Sequence, residues 1–196
     1  ADYNLPYKQL KGKTVLVTGA TGLIGTLLVR ALLAIGDIKV IALVGNSEKA
    51  KKIYGDLIGN SLKLHIADIV DKIKIEDAVD YIFHCASITA SKMMIEKPVE
   101  TLLISVEGTK NVLNFAREKK CASVVYISSM EVYGAFNESK EVREENLGYI
   151  DHLKVRSNYP ESKRLCENMC VAYYSEFGVP VKIARLAQTF GAGILP

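Results

Sequence analysis

Short apolar runs alternate with segments of helical pattern along the whole chain. Thr14 to Thr18 (TVLVT) is rich in β-branched residues and predicts a buried strand. Leu23 to Ile35 has helical composition, and Gly36 with Asp37 predicts where that helix stops. Lys39 to Val44 (KVIALV) predicts a second strand, and Ser47 to Tyr54 a short, Lys-rich helix with a solvated face. Leu62 to Ile66 is a weaker third strand and Tyr81 to Cys85 a fourth. Pro98 to Lys119 predicts a long helix, with Leu102, Val106, Leu113 and Ala116 on its buried face. Val124 to Ser128 is the fifth strand. The polar, irregular stretch from Met130 to Ser157 is of a length that usually carries function. A helix from Tyr159 to Phe177 follows, with Asn158 as N-cap and Glu161 completing a capping box. Leu165, Met169, Tyr173 and Phe177 recur every four residues and are expected to face the sheet. Gly178 and Pro180 end this helix, and Val181 to Ala184 is the sixth strand. This alternation predicts an α/β fold, a doubly wound parallel sheet with helices on both faces.

Composition narrows the class. The chain has 196 residues, 49% hydrophobic and 24% charged, which is the balance of one globular domain and excludes a disordered chain. Twenty-five basic against 22 acidic residues leave a net charge of +3, too little to point to nucleic acid or an anionic membrane. No apolar run approaches the ~20 residues of a membrane span. The opening ADYNLPYKQLKGK lacks the apolar core of a signal peptide, so a cytoplasmic location is expected. Cys85, Cys121, Cys166 and Cys170 form no CxxC pair, and Cys166 and Cys170 lie four apart on one helical face. Reduced core cysteines, with no metal site, are expected.

The first candidate chemistry is TGATGLIG, between the first strand and the first helix. Gly19, Gly22 and Gly25 are spaced three apart. Glycine permits an unusual φ at the turn and lets backbone N–H groups approach a pyrophosphate. The last glycine lets helix pack close to strand. The strand before and the helix after supply the context that such a glycine pattern needs. Thr21, Leu23 and Ile24 belong to the same cradle.

The second is Tyr159 with Lys163, in YPESK. Four residues apart on a helix lie on one face. An ammonium beside a phenol favours the phenolate, lowering a pKa that is ordinarily near 10. A phenolate near neutral pH can remove a hydroxyl proton as hydride leaves the same carbon. The fifth strand ends in serines. Ser129 can donate to an oxygen that alternates between alcohol and ketone, while Ser128 is read as a backbone cap. Glu131, two residues beyond Ser129, faces the same side if the chain stays extended; if the chain turns after Ser129, it points to solvent.

TGATGLIG and YPESK resemble the extended short-chain dehydrogenase/reductases. In that resemblance Asp68 and Ile69, in HIADI after the third strand, lie beside an adenine ring. His84-Cys85-Ala86-Ser87 ends the fourth strand where the family lays backbone against the cofactor. Gly108, Thr109 and Asn111 match its central helix. The family's NAD-preferring members carry an acid after the second strand. Here Val44-Gly45-Asn46 stands instead, and Asn46 can bond either ribose form, which leaves NADP open; NAD is the expected cofactor because the family members this chain resembles use it.

The segment SSMEVYG resembles the nucleotide-sugar epimerases, dehydratases and decarboxylases. It places Ser129 at the catalytic Ser/Thr position. Met130-Glu131 lacks the Asp-Glu pair of the dehydratases and matches the UDP-glucuronate decarboxylases, as do Arg156 three residues before Tyr159 and Glu161, Lys163 and Arg164 around it. IARLAQTFGAG resembles RxxNxYGP, a motif that touches sugar and phosphate. Arg185 and Gly191 are kept; Gln188 replaces the Asn and Ala192 the Pro.

The resemblance implies an NAD-dependent enzyme that oxidises a nucleotide sugar at carbon 4, transforms the ketone and reduces it again. It further implies a homodimer and a smaller substrate domain after the first. A chain ending at Pro196 is therefore expected to be one domain, 1–196, truncated before its substrate domain. Three alternatives stay open: a UDP-sugar 4-epimerase, an NADPH-dependent carbonyl reductase, and a dinucleotide-binding regulator without activity.

Overall fold

The computed structural model describes residues 7–136 and 141–191. The expected boundaries at residues 1–6 and 192–196, including Ala192 of the last motif, lie outside them. Six strands form one parallel sheet in the order β3-β2-β1-β4-β5-β6: β1 Thr14–Thr18, β2 Lys39–Val44, β3 Leu62–Ile66, β4 Tyr81–His84, β5 Ser123–Ser129 and β6 Val181–Leu186. Five helices complete it: α1 Leu23–Ile35, α2 Ser47–Tyr54, α3 Ser91–Glu96, α4 Pro98–Lys119 and α5 Asn158–Phe177. The chain starts in the middle of the sheet, winds outward through β3, then crosses back past β1 to β4. That reversal opens a crevice beyond the C-terminal ends of β1 and β4, where folds of this kind bind ligands.

β1 and β2 read as continuous apolar runs because both of their faces are covered. Val15, Val17, Val40, Ala42 and Val44 pack with Val29 and Leu32 of α1 on one face. Leu16, Ile41, Leu43 and Ile82 pack with Val112, Leu113 and Ala116 of α4 and with Cys166 and Cys170 of α5 on the other. All four cysteines are free thiols, and three are buried.

Three expectations about helices change. Leu102 of α4 is exposed, because the first half of α4 buries Thr101, Ser105, Gly108 and Thr109 instead. In α5 the stripe of Leu165, Met169, Tyr173 and Phe177 forms only the margin of the core: Met169 and Tyr173 pack against it partly buried, Tyr173 bonding Asn114 of α4, while Leu165 and Phe177 are exposed. The buried face is Tyr159, Ser162, Lys163, Cys166, Glu167 and Cys170. α5 lies tightly against both β5 and α4, and small side chains such as Ser162, Cys166 and Cys170 permit that approach where leucine and phenylalanine would not. The capping box is also absent. Asn158 is the first residue of α5 and its side chain donates to Met94 O of α3, a helix the sequence reading did not anticipate.

Candidate active site

The glycine loop is built by exclusion. Gly19 has φ +61°, and a Cβ there would lie 2.7 Å from the Ala86 backbone. A Cβ on Gly25 would meet the Gly19 carbonyl and come within 2.8 Å of Ala20 Cα. Gly22 differs: its φ is −82°, and a Cβ would meet only Gly19 O at 3.3 Å. Gly19 and Gly25 therefore set the fold of the loop, and Gly22 keeps its outer side bare. Gly22 opens α1 as its N-cap with no side chain bonded to the helix's first N–H groups. Thr21, Leu23 and Ile24 border it, half-buried. Gly191 lies against Leu23, which brings the last described residue of the IARLAQTFGAG motif back to this loop.

The neighbouring turn after β4 is pinned by a buried relay. Ala86 N–H donates to Thr18 Oγ1 at 3.2 Å, and Thr18 Oγ1 is 2.8 Å from His84 Nδ1. His84 Nε2 is 3.1 Å from Thr109 Oγ1, which itself donates to Ser105 O at 2.6 Å. Thr109 has one hydroxyl proton and spends it on Ser105, so it accepts from His84 Nε2–H. His84 is then neutral, with Nδ1 accepting from Thr18. Burial, with the Lys163 charge adding to it, pushes its pKa down to about 3, in agreement. The relay joins β1, β4 and α4 and fixes the Cys85-Ala86-Ser87 backbone beside Gly19. Ser87 Oγ is buried and has no hydrogen-bond partner among the described residues. A bare helix N-terminus, a cradle that a side chain would fill, and an unpartnered hydroxyl next to it fit a dinucleotide pyrophosphate and its neighbouring sugar.

On the adenosine side the outcome is mixed. Asp68 is exposed and accepts from Val70 N–H, closing its own turn. Ile69 is buried against Gly108, where a Cβ would come within 3.1 Å of it, and its carbonyl accepts from Asn111. Gly108 and Asn111 therefore act on the pocket by seating Ile69. Asn46 caps α2, its side-chain oxygen accepting from Lys49 N–H at 2.8 Å. The bond fixes the orientation of the amide, leaving its N–H groups and the second lone pair of Oδ1 to offer a ribose.

Tyr159 and Lys163 stand at the first turns of α5, beside the end of β5. Their relation differs from the expected one. Lys163 Nζ donates to Ile127 O at 2.7 Å and lies 5.7 Å from the centre of the Tyr159 ring. Burial pushes the Tyr159 pKa up, with the Glu131 charge adding to it, while the Ser129 hydroxyl and the Arg156 guanidinium oppose the rise. In this arrangement the lysine does not activate the phenol; Ser129 and Arg156 hold it back from a still higher pKa.

Lys163 itself is almost wholly buried, and burial pushes its pKa down to about 8. Keeping its charge at pH 7 costs on the order of 3 kcal/mol, before the bond to Ile127 is credited. Lys163→Met is therefore expected to stabilise the domain by about 1–2 kcal/mol at pH 7, the carbonyl left without its donor offsetting part of the gain. The sign follows from linkage. The folded pKa lies below the unfolded one, so the parent regains stability as pH rises from about 8 toward the ordinary lysine value. The advantage of the Met variant should shrink over that window in urea unfolding.

The chain neither stays extended after Ser129 nor sends Glu131 into solvent. Met130–Tyr133 is a 3-10 turn with Ser129 as N-cap, its hydroxyl accepting from Glu131 N–H at 3.2 Å. Arg156 Nη2 then donates to Glu131 Oε1 at 2.8 Å and draws the carboxylate back over the site. Arg156 also lies 5.8 Å from the Tyr159 ring. Ser129, Glu131, Arg156 and Tyr159 thus share one cluster, with both members of the ion pair about a third exposed.

Two residues read for the site have other work. Ser128 is no backbone cap: it donates to the buried Glu167 Oε1. Arg185, expected to touch substrate, forms a two-pronged pair with Glu167 at 2.7–3.2 Å and donates its remaining nitrogen to Glu144 O at 2.6 Å. Each of its three nitrogens is engaged in holding β6, α5 and the 141–146 segment together. Glu167 was the missed residue; its signal was an acid on the α5 face that also carries Tyr159 and Lys163. Gln188 is exposed beyond β6. Arg164 also serves the scaffold, donating to Val132 O and Gly148 O.

Comparison with known proteins agrees with this geometry. The UDP-glucuronic acid decarboxylase 1 of Xenopus tropicalis is 34% identical over 91% of this chain and 42% of its own length. The UDP-N-acetyl-alpha-D-glucosaminuronate decarboxylase of Bacillus cytotoxicus is 30% identical over 94% of this chain and 59% of its own. Among solved structures, an epimerase from the methanogen Methanothermobacter thermautotrophicus superposes with a TM-score of 0.77 at 26% identity, covering 91% of this chain and 52% of that one. The chain spans about half the length of the curated relatives it matches. The pattern described as NAD dependent epimerase/dehydratase family matches residues 15–195, and with the glycine cradle, the YxxxK helix and the 3-2-1-4-5-6 sheet in place, the chain belongs to that family.

Proposed function

We propose that this chain is the dinucleotide-binding and catalytic half of a nucleotide-sugar enzyme that decarboxylates a UDP-linked uronic acid. The observation that carries the reading is Glu131, held by Arg156 at the edge of Tyr159 with no acid at Met130. The likeness to decarboxylases over nine-tenths of the chain supports it. NAD would be held by Gly19, Thr21, Gly22, Leu23, Ile24 and Gly25 at the pyrophosphate. Asn46, Asp68 and Ile69 would meet the adenosine, and Cys85, Ala86, Ser87 and Lys163 the nicotinamide half. The chemistry NAD supplies when bound is reversible acceptance of a hydride from carbon 4 of the sugar.

The side chains do the rest. Tyr159 removes the carbon-4 hydroxyl proton, and Ser129 donates to that oxygen as it becomes a ketone. The ketone makes the uronate a β-keto acid. The bond between carbons 5 and 6 breaks, carbon dioxide leaves, and the electron pair moves toward the carbon-4 oxygen, where the Ser129 bond stabilises it. A proton from solvent water is then taken up at carbon 5 in place of the departed carboxylate, with Glu131 placed to orient that water. Tyr159 gives back its proton when carbon 4 is reduced again.

Mass spectrometry of the products that the full-length enzyme forms from UDP-glucuronate, UDP-glucose and their N-acetyl counterparts tests the reading. A UDP-pentose and carbon dioxide are expected from UDP-glucuronate. Glu131→Gln is expected to keep cofactor affinity and the first oxidation, so that reduced nicotinamide absorbance accumulates while product is lost. Normal product formation by that variant would favour a UDP-sugar 4-epimerase, the second reading, to which the epimerase superposition lends support.

The unpaired thiols fit a reducing compartment, which supports a cytoplasmic location. No described helix is long and apolar enough to cross a membrane. A homodimer is supported by the apolar side chains that α4 and α5 leave exposed, Val99, Leu103, Val171 and Tyr174. Sedimentation at micromolar concentration checks it.

A further inference from the structure

Arg156 and Glu131 neutralise each other in the free protein, through one bond of 2.8 Å between Nη2 and Oε1. The Arg156 side chain is 36% exposed and the Glu131 side chain 34%, so water and solutes reach both. No other hydrogen bond or ion pair of either side chain is present among the described residues. A single-pronged pair at this exposure is weak, worth at most about 1 kcal/mol. Arginine's planar fork is capable of two parallel bonds to a carboxylate, and Glu131 uses only one. The pair lies beside the Tyr159 ring and beyond the Ser129 hydroxyl. In a sugar whose carbon 4 reaches Tyr159, carbon 6 is only two bonds away, and Arg156 lies 5.8 Å from the Tyr159 ring, within reach of a substituent there.

We propose that Arg156 selects the acidic sugar by exchanging partners, releasing Glu131 to take the carboxylate of the substrate. This rests on the nucleotide-sugar reading and deepens it. Glu131 is the internal occupant of the carboxylate site. A neutral hexose, with a hydroxymethyl at carbon 6, offers nothing to displace it and leaves the pair closed. A uronate offers the second prong that Glu131 leaves unused. The exchange also frees the Glu131 carboxylate only when an acid is bound, which couples substrate choice to the group proposed to act at carbon 5. Met130 contributes no charge to the contest, so the balance rests on these two residues.

The test is binding, not turnover. Calorimetric titrations of the full-length enzyme of which this chain is proposed to be half, saturated with NAD, read the affinities of UDP-glucuronate and UDP-glucose for the parent and three variants. The parent is expected to prefer UDP-glucuronate by about tenfold or more. Arg156→Gln should erase that preference while leaving UDP-glucose affinity unchanged, and Arg156→Lys should restore part of it. Glu131→Gln should strengthen UDP-glucuronate several-fold and leave UDP-glucose unaffected, because the internal competitor is gone. Unchanged NAD affinity in each variant certifies the fold. Equal affinity of the parent for both sugars, a preference that survives Arg156→Gln, or weaker UDP-glucuronate binding in Glu131→Gln overturns the exchange while the nucleotide-sugar reading stands. Binding of neither sugar nucleotide by the parent removes that reading and the exchange with it.

Discussion

In the full-length enzyme Tyr159→Phe is expected to leave the fold and dinucleotide affinity intact and to lower turnover of the nucleotide sugar at least ~100-fold. Phenylalanine fills the same space among Ser162, Lys163 and Arg156, so packing is preserved. What disappears is the one group placed to take the carbon-4 proton. The structure sharpens this expectation through pH. Burial raises the Tyr159 pKa, and Lys163 is turned toward Ile127 O. The free site therefore holds a protonated phenol at neutral pH. Removal of its proton needs either a lysine that swings toward it or a higher pH. Turnover in the parent should rise with pH from neutrality into the alkaline range, and the Phe variant should show no such limb. Turnover that survives the substitution would make Tyr159 a structural aromatic.

Gly22→Val should lower NAD affinity by at least ~3 kcal/mol, on the order of a hundredfold, with little loss of stability. The three glycines of the loop give different tests. At Gly19 a valine would need φ +61° and would strike Ala86; at Gly25 it would strike Gly19 and Ala20. Both changes break the loop before they reach a ligand. Gly22 has an ordinary φ, and a Cβ there meets only one carbonyl at 3.3 Å. A branched side chain at Gly22 therefore survives folding and occupies the space over the N-terminus of α1. Isothermal titration with NAD, beside a urea unfolding curve, separates the two effects. Undiminished affinity would place the pyrophosphate elsewhere.

The positions of both tests were legible in the amino-acid order because local chemistry wrote them there. β1, α1, β2, α2, β3 and α4 begin and end where apolar period, Gly36 and Pro98 indicate. Two strands buried on both faces must be apolar throughout, and a turn that brings Gly19 to within contact of Ala86 admits no side chain. Ser129, Tyr159 and Lys163 were legible for a related reason: their spacing along one helix and one strand end is itself the geometry.

Orientation was not legible, since it depends on partners far away in sequence. The face of α5 that enters the core is fixed by how closely β5 and α4 approach, and proximity favours Ser162, Cys166 and Cys170 over the larger stripe of Leu165 and Phe177. Arg185 is engaged by Glu167, 18 residues earlier, and its charge is already paired before any phosphate arrives. Glu131 is held beside the site by Arg156, 25 residues later. The chain order by itself determined the strands and helices, the glycine turn and the identity of the reacting groups, because apolar period, turn glycines and helical spacing are properties of neighbours within a few residues. Only the tertiary structure decided which charges are paired, which way Lys163 points and what tautomer His84 holds, because a charge or a proton settles on whatever partner the packed core brings within 3 Å or so.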